Sequence, residues 1–161
     1  MRRKYQAGLT LIELLLVVGI LGVLFGIGFV SIGSIKIVAT KSTSFSVLSS
    51  DLKNQQIKAM VGDTEGRGVP DNYGIKILTD RYVLFHGNIY NPSDAANFSI
   101  PIDQGYTLTS TFPDTTILFA SSSGELVNFI QGQNTVTITH TETGSNQLME
   151  INNYGTIISI E

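Results

Sequence analysis

The chain has 161 residues, 10 of them lysine or arginine and 13 aspartate or glutamate, and it has no cysteine. Three basic residues, Arg2, Arg3 and Lys4, crowd the N-terminal flank, and without them 7 basic residues face 13 acidic ones, a net of −6 that repels nucleic-acid phosphates. The missing thiols exclude a disulfide framework and thiolate chemistry, and about 100 residues remain beyond a long N-terminal helix, enough for one small domain.

MRRKYQAG opens the chain as a short polar leader, and its three charges hold it on the cytoplasmic side by the positive-inside tendency. Residues 14–35 then run for 22 positions without a charged side chain. At ~1.5 Å per helical residue that is about 33 Å, long enough to cross a bilayer. A secretory signal would end its apolar core in small residues, whereas here Ala7 and Gly8 precede the core. A cut after them removes the leader and keeps the helix as an anchor.

One carboxylate, Glu13, stands at the head of the apolar run. Hydrocarbon rejects such a charge at a cost on the order of a few kcal/mol, so a partner neutralises it or it is placed there for a purpose. A group of opposite charge brought beside it in an apolar bundle would cancel two charges and set partner choice and register by one contact. The plain alternative is a wet carboxylate at headgroup level on an ordinary single-span anchor.

Basic leader, Gly8, apolar residues, Glu13 five positions on and then an apolar helix together resemble the type IV pilin superfamily, which includes pilus subunits and the pseudopilins of type II secretion. The resemblance implies cleavage after Gly8 by a prepilin peptidase, N-methylation of Leu9 and pairing of Glu13 with the N-terminal amine of a neighbouring subunit. Most members carry phenylalanine where this chain has Leu9. The implied partners are the peptidase, other pilin or pseudopilin subunits, an inner-membrane assembly platform and, before assembly, membrane lipid. The implied location is the cytoplasmic membrane as a single-pass precursor with its head outside, then a pilus or pseudopilus.

The helical pattern continues past residue 35, with no proline before Pro70 and with Val38, Phe45, Leu48, Leu52, Ile57 and Met60 at helical spacings. One helix over residues 9–61 would be roughly 80 Å long, its first half in lipid and its second half amphipathic. Gly22 and Gly26 form a small-xxx-small pair that admits a neighbouring helix; the alternative is that glycine is simply common in membrane helices. The expected divisions are a leader over residues 1–8, a membrane and assembly helix over 9–35, its amphipathic continuation over 36–61 and a β-rich head over 62–161.

Three glycines and Pro70 among charged residues break the helix at 62–70. Strand periodicity follows at residues 73–78, 81–86, 106–112, 115–120, 125–130, 135–141, 147–152 and 156–160. The fold class expected is α+β and pilin-like: the long helix packed on an antiparallel meander, threonine-rich on its outer face. The order YGIKI, RYVLFHG, TVTIT and a closing INNYGTI, with Gly155 followed by Ile157 and Ile158, resembles the minor pseudopilin H group and related minor pilins.

No arrangement of residues points to an enzyme, a cofactor or a metal. His86 and His140 lie on separate strands, without HExxH spacing, and read as surface residues. Ser121, Ser122 and Ser123 read as a loop, and the loop carboxylates Asp63, Glu65, Asp71, Asp80, Asp94 and Asp103 do not follow EF-hand spacing. The function expected is a structural and assembly subunit, a minor pilin or pseudopilin. The alternatives are a major pilin and a tip subunit for adhesion or DNA uptake. Only Arg67, Lys76 and Arg81 are basic from Gly62 onward, which disfavours DNA uptake. Tyr82, Tyr90, Tyr106 and Tyr154 are candidates for an adhesive face where they prove exposed.

Overall fold

The computed structural model describes residues 10–161, apart from the side chains of residues 26–44. The chain divides into two compact units, Met1–Ala39 and Thr40–Glu161. Helix α1 spans Leu11–Val61. The strands that follow are β1 (Tyr73–Ile77), β2 (Arg81–His86), β3 (Phe98–Pro101), β4 (Tyr106–Ser110), β5 (Thr116–Phe119), β6 (Thr135–His140), β7 (Asn146–Ile151) and β8 (Ile157–Ile160). The fold is thus α+β with antiparallel sheets, consistent with a pilin-like architecture.

One glycine-assisted cap ends α1. Gly62 takes φ 64°, its N–H donates to the Ala59 carbonyl at 3.2 Å, and the Asp63 N–H donates to the Lys58 carbonyl at 3.0 Å. This pair of bonds is a Schellman cap, which satisfies carbonyls left open at the helix end and turns the chain out of the helix.

Phe45, Leu48, Leu52, Gln55 and Ala59 recur at alternating spacings of three and four, and all are buried. They form one stripe of α1 in the core with Ile75, Ile117, Val136, Ile138, Met149 and Ile151. Burial of each large apolar side chain here contributes about 1.5–3 kcal/mol. Ile57 and Met60, expected on the stripe, are 55 % and 51 % exposed; the 3-4 spacing puts Gln55 and Ala59 inward instead.

The eight strands form two four-stranded sheets rather than one meander. Their orders are β3-β2-β1-β5 and β4-β6-β7-β8. β3-β2-β1 and β6-β7-β8 are local meanders, but β4 leaves for the second sheet and β5 returns to pair with β1, Ile75 opposite Ile117. The threonine-rich face lies on β4 and β6, where Thr107 opposes Thr139 and Thr109 opposes Thr137.

Strand β3 escaped the sequence reading, and the expected strand over 125–130 is absent. β3 is an edge strand ending in Pro101, with three of its four residues exposed, so it carries almost no alternation. At 125–130 the buried Leu126 and the core-packed Phe129 are three apart, an odd spacing that a regular strand cannot place on one face. The segment instead straps the edge of β5 through a bridge between Phe119 and Leu126 and a bond from the Val127 N–H to the Leu118 carbonyl.

The first sheet is covered on both faces. Ile75, Ile77 and Tyr82 turn to the core, while Val83 and Phe85 are buried on the other side. Phe85 reaches back over Gly74, its partner in register, and packs edge-on against Tyr90 at 5.6 Å. A Cβ on Gly74 would meet the Phe85 ring at 2.3 Å. Two tyrosine hydroxyls fasten the sheet: Tyr82 donates to the Asp51 carboxylate of α1 at 2.7 Å, and Tyr73 to the Asp63 carbonyl at 2.9 Å.

Gly74→Ala forces the Phe85 ring to move, so unfolding stability should fall by about 1–3 kcal/mol, read as a lower denaturant midpoint with unchanged slope. An unchanged midpoint contradicts the contact. Burial, and then the neighbouring Glu65 and Asp63, push the Tyr73 hydroxyl from 10.0 up to about 12. Burial, and then the bond to Asp51, push Tyr82 up as well. Both hydroxyls are held neutral by the fold, so their stabilisation is complete below pH 10.0; the Tyr73 contribution is lost as pH rises through about 12, and the Tyr82 contribution persists to higher pH. Thermal melts across that window should show the loss together with tyrosinate absorbance.

Candidate functional site

The N-terminal end of α1 holds the site the sequence singled out. Glu13 lies in the first turn of the helix. Its Oε2 accepts the Thr10 backbone N–H at 2.9 Å and the Thr10 hydroxyl at 2.8 Å. The Glu13 N–H donates back to the Thr10 Oγ1 at 3.4 Å. The reciprocal bonds make a capping box, Thr10 at the N-cap and Glu13 three residues on. The helix N-terminus carries partial positive charge, which favours a carboxylate in this turn.

Within the single chain Glu13 is therefore held by its own helix. Thr10 is the functional neighbour the sequence reading overlooked, although its T-x-x-E signature ahead of an apolar run was there to be read. A group that draws the carboxylate away must replace two donors, one of which, the N–H of residue 10, belongs to the backbone.

Beyond Glu13 the helix surface is bare and apolar. Leu11, Ile12, Leu14, Leu15, Leu16, Val17 and Val18 are exposed, as are Ile20, Leu21, Val23, Leu24 and Phe25, none of them less than 46 %. A patch of this kind on all sides of a helix marks a surface meant for lipid or for other helices. Gly22 has open space around the position a Cβ would take, leaving a notch in this surface. Among the described residues no helix is long and apolar enough to cross a membrane. The side chains of residues 26–35 complete the expected span and lie outside the described residues, as does any packing at Gly26.

Arg2, Arg3, Lys4, Gly8 and Leu9, the leader charges and the cleavage position, also lie outside the described residues. Within Thr40–Glu161 the two histidines depart from their expected surface positions. His86 is buried and stacks flat on Tyr73 at 4.5 Å; His140 is buried and meets the Tyr106 ring edge-on at 4.9 Å. An aromatic neighbour on each strand gives the imidazole an apolar wall, which period-2 patterning alone cannot reveal. Glu65 pairs with Lys58 at 2.7 Å, and Arg67 with Asp94 at 2.9 Å. The Ala96 backbone N–H, followed by Arg67, holds the Asp94 carboxyl below its ordinary range. Among the described residues no group of three or more histidine, aspartate and glutamate side chains is arranged to hold a metal ion.

No curated protein and no solved structure matches the chain. Residues 3–29 match the family model of the prokaryotic N-terminal methylation motif. That match takes in Arg3 and Lys4 of the basic flank, Gly8, Leu9, Glu13 and the exposed apolar stretch of α1, and it supports a place for the chain in the type IV pilin superfamily, whose members are structural subunits processed by prepilin peptidase.

Proposed function

We propose that the protein is a minor pilin or pseudopilin, a structural and assembly subunit of a type IV pilus or of a type II secretion pseudopilus. The observation that carries this reading is a single carboxylate, Glu13, at the head of an exposed apolar helix inside the matched methylation motif. On this reading residues 1–8 are the leader, 9–35 the membrane and assembly helix, 36–61 its amphipathic continuation and 62–161 the head. Prepilin peptidase cuts after Gly8, and Leu9 becomes the methylated N-terminus.

Assembly then follows from desolvation. In the membrane-inserted chain the Thr10 cap keeps Glu13 satisfied at the helix start. When the helix enters a filament bundle, the amine of an adjoining Leu9 offers Glu13 a full opposite charge, which a neutral cap cannot match in an apolar setting. Gly22 and Gly26 let neighbouring helices approach. The assembly platform and the other subunits are the partners, and nucleic acid is not one of them, because the head carries few cations.

Glu13→Ala should leave the protein inserted and cleaved, while its incorporation into filaments falls at least about tenfold; sheared filaments and membrane fractions compared by immunoblot read this directly. Thr10→Val removes the hydroxyl contact but keeps the Glu13 charge, so it should loosen the first helical turn by about 1 kcal/mol and spare incorporation. Equal incorporation of Glu13→Ala and wild type would contradict the pairing mechanism.

A further inference from the structure

Strands β4 and β6 are neighbours, and they carry the same residue type at every outward position. Leu108, Val136 and Ile138 point into the core, so the residues alternating with them point away from it. On β4 and the residue after it these are Thr107, Thr109 and Thr111; on β6 they are Thr139, Thr137 and Thr135. The register sets them side by side. Thr107 opposes Thr139 and Thr109 opposes Thr137, while the Thr111 N–H donates to the Thr135 carbonyl at 3.0 Å. The result is a grid of two columns and three rows, spaced about 4.8 Å between strands and about 6.7 Å along each strand.

Strand propensity does not by itself account for this uniformity, because a solvated strand face can equally mix threonine with tyrosine or with cross-strand pairs of opposite charge. None of the six places is charged or aromatic. On the next strand the pattern stops: β7 sets Asn146, Leu148 and Glu150 beside Thr139, Thr137 and Thr135. The grid is therefore confined to two strands, across which the sheet twists by one step of about 20–25°. Thr109 and Thr111 are exposed and the other four are half-buried by one another and their neighbours. The Thr111 and Thr135 hydroxyls lie 3.0 Å apart and bond to each other, whereas among the described residues those of Thr109, Thr137 and Thr139 bond to no protein atom.

The grid selects its partner by charge and by repeat. Each threonine offers a methyl group, which sheds water, and a hydroxyl, which donates and accepts as a water molecule does. A charged polymer finds no counter-charge among the six places. A crystalline polysaccharide presents C–H faces that call for aromatic side chains, which the grid lacks. A partner that engages all six places at once is neutral, bears hydrogen-bonding oxygens and repeats in two directions at spacings comparable to those of the strands. Crystalline ice has such a surface. We propose that the outward face of β4 and β6 binds ice. The face belongs to the Thr40–Glu161 unit alone and does not rest on the filament reading.

The test grows ice slowly on a cooled probe from a solution of the mature full chain in detergent, beside an unrelated single-span protein in the same detergent. Protein in the ice is compared with protein left in the liquid. The wild-type chain should be enriched in the ice relative to the control protein. Thr109→Lys places an ammonium that keeps its own water in the middle row, so enrichment should fall at least about tenfold while the melting temperature holds. Asp103→Lys, at an exposed loop position, should behave as wild type. If Thr109→Lys unfolds early, Thr107→Lys at the end of the same column carries the comparison. The proposal is overturned if the wild-type chain enters ice no more than the control protein does, or if the folded lysine variant of the grid is enriched as wild type is.

Discussion

Leucine, isoleucine, valine and phenylalanine cover every side of α1 from Leu11 to Phe25, all exposed, and one carboxylate sits at their head. Each of these side chains is worth about 1.5–3 kcal/mol when removed from water. A chain cannot cover such a cylinder with itself, so lipid or other helices must do so. Glu13 is the one group there for which those environments differ. Lipid offers it nothing beyond its own Thr10 cap, while a protein bundle can offer a cation.

The other half of α1 solves a different problem with the same geometry. From Phe45 onward a single stripe at alternating spacings of three and four is buried, and the remaining faces are polar or exposed. Gln55 takes one place on that stripe, and Gln56 beside it donates to the carbonyls of Gly124 at 2.9 Å and Tyr154 at 2.6 Å. A Cβ at Gly155 would lie 2.7 Å from the Gln56 amide nitrogen, so glycine is required there for the closing hairpin to come this close. The stripe supplies the burial energy, and these amide bonds tie the loop at Gly124 and the closing hairpin at Tyr154 to the helix.

The legibility of the sequence tracked local periodicity. The Schellman end of α1 at Gly62 and the hairpin between Ile77 and Arg81 rest on residues adjacent in sequence, and both could be read directly. The partition into two sheets could not, because it depends on β5 finding β1 across the chain rather than on any pattern within either strand. β3 was hidden because an exposed edge strand has only Ile100 to turn inward, and His86 and His140 read as surface residues because their burial comes from the rings of Tyr73 and Tyr106. At the N-terminus the reverse held. Glu13 stands out as a lone charge in an apolar run, whereas the T-x-x-E box that holds it is masked because Thr10 is a neutral residue at the edge of that run.

The mass and association state of the protein recovered from the membranes of producing cells test the central claim most directly. The recovered chain should begin at Leu9, having lost the eight residues through Gly8, and should be isolated with other pilin-type subunits. A full-length chain beginning at Met1 and working as a lone membrane-anchored monomer would contradict it.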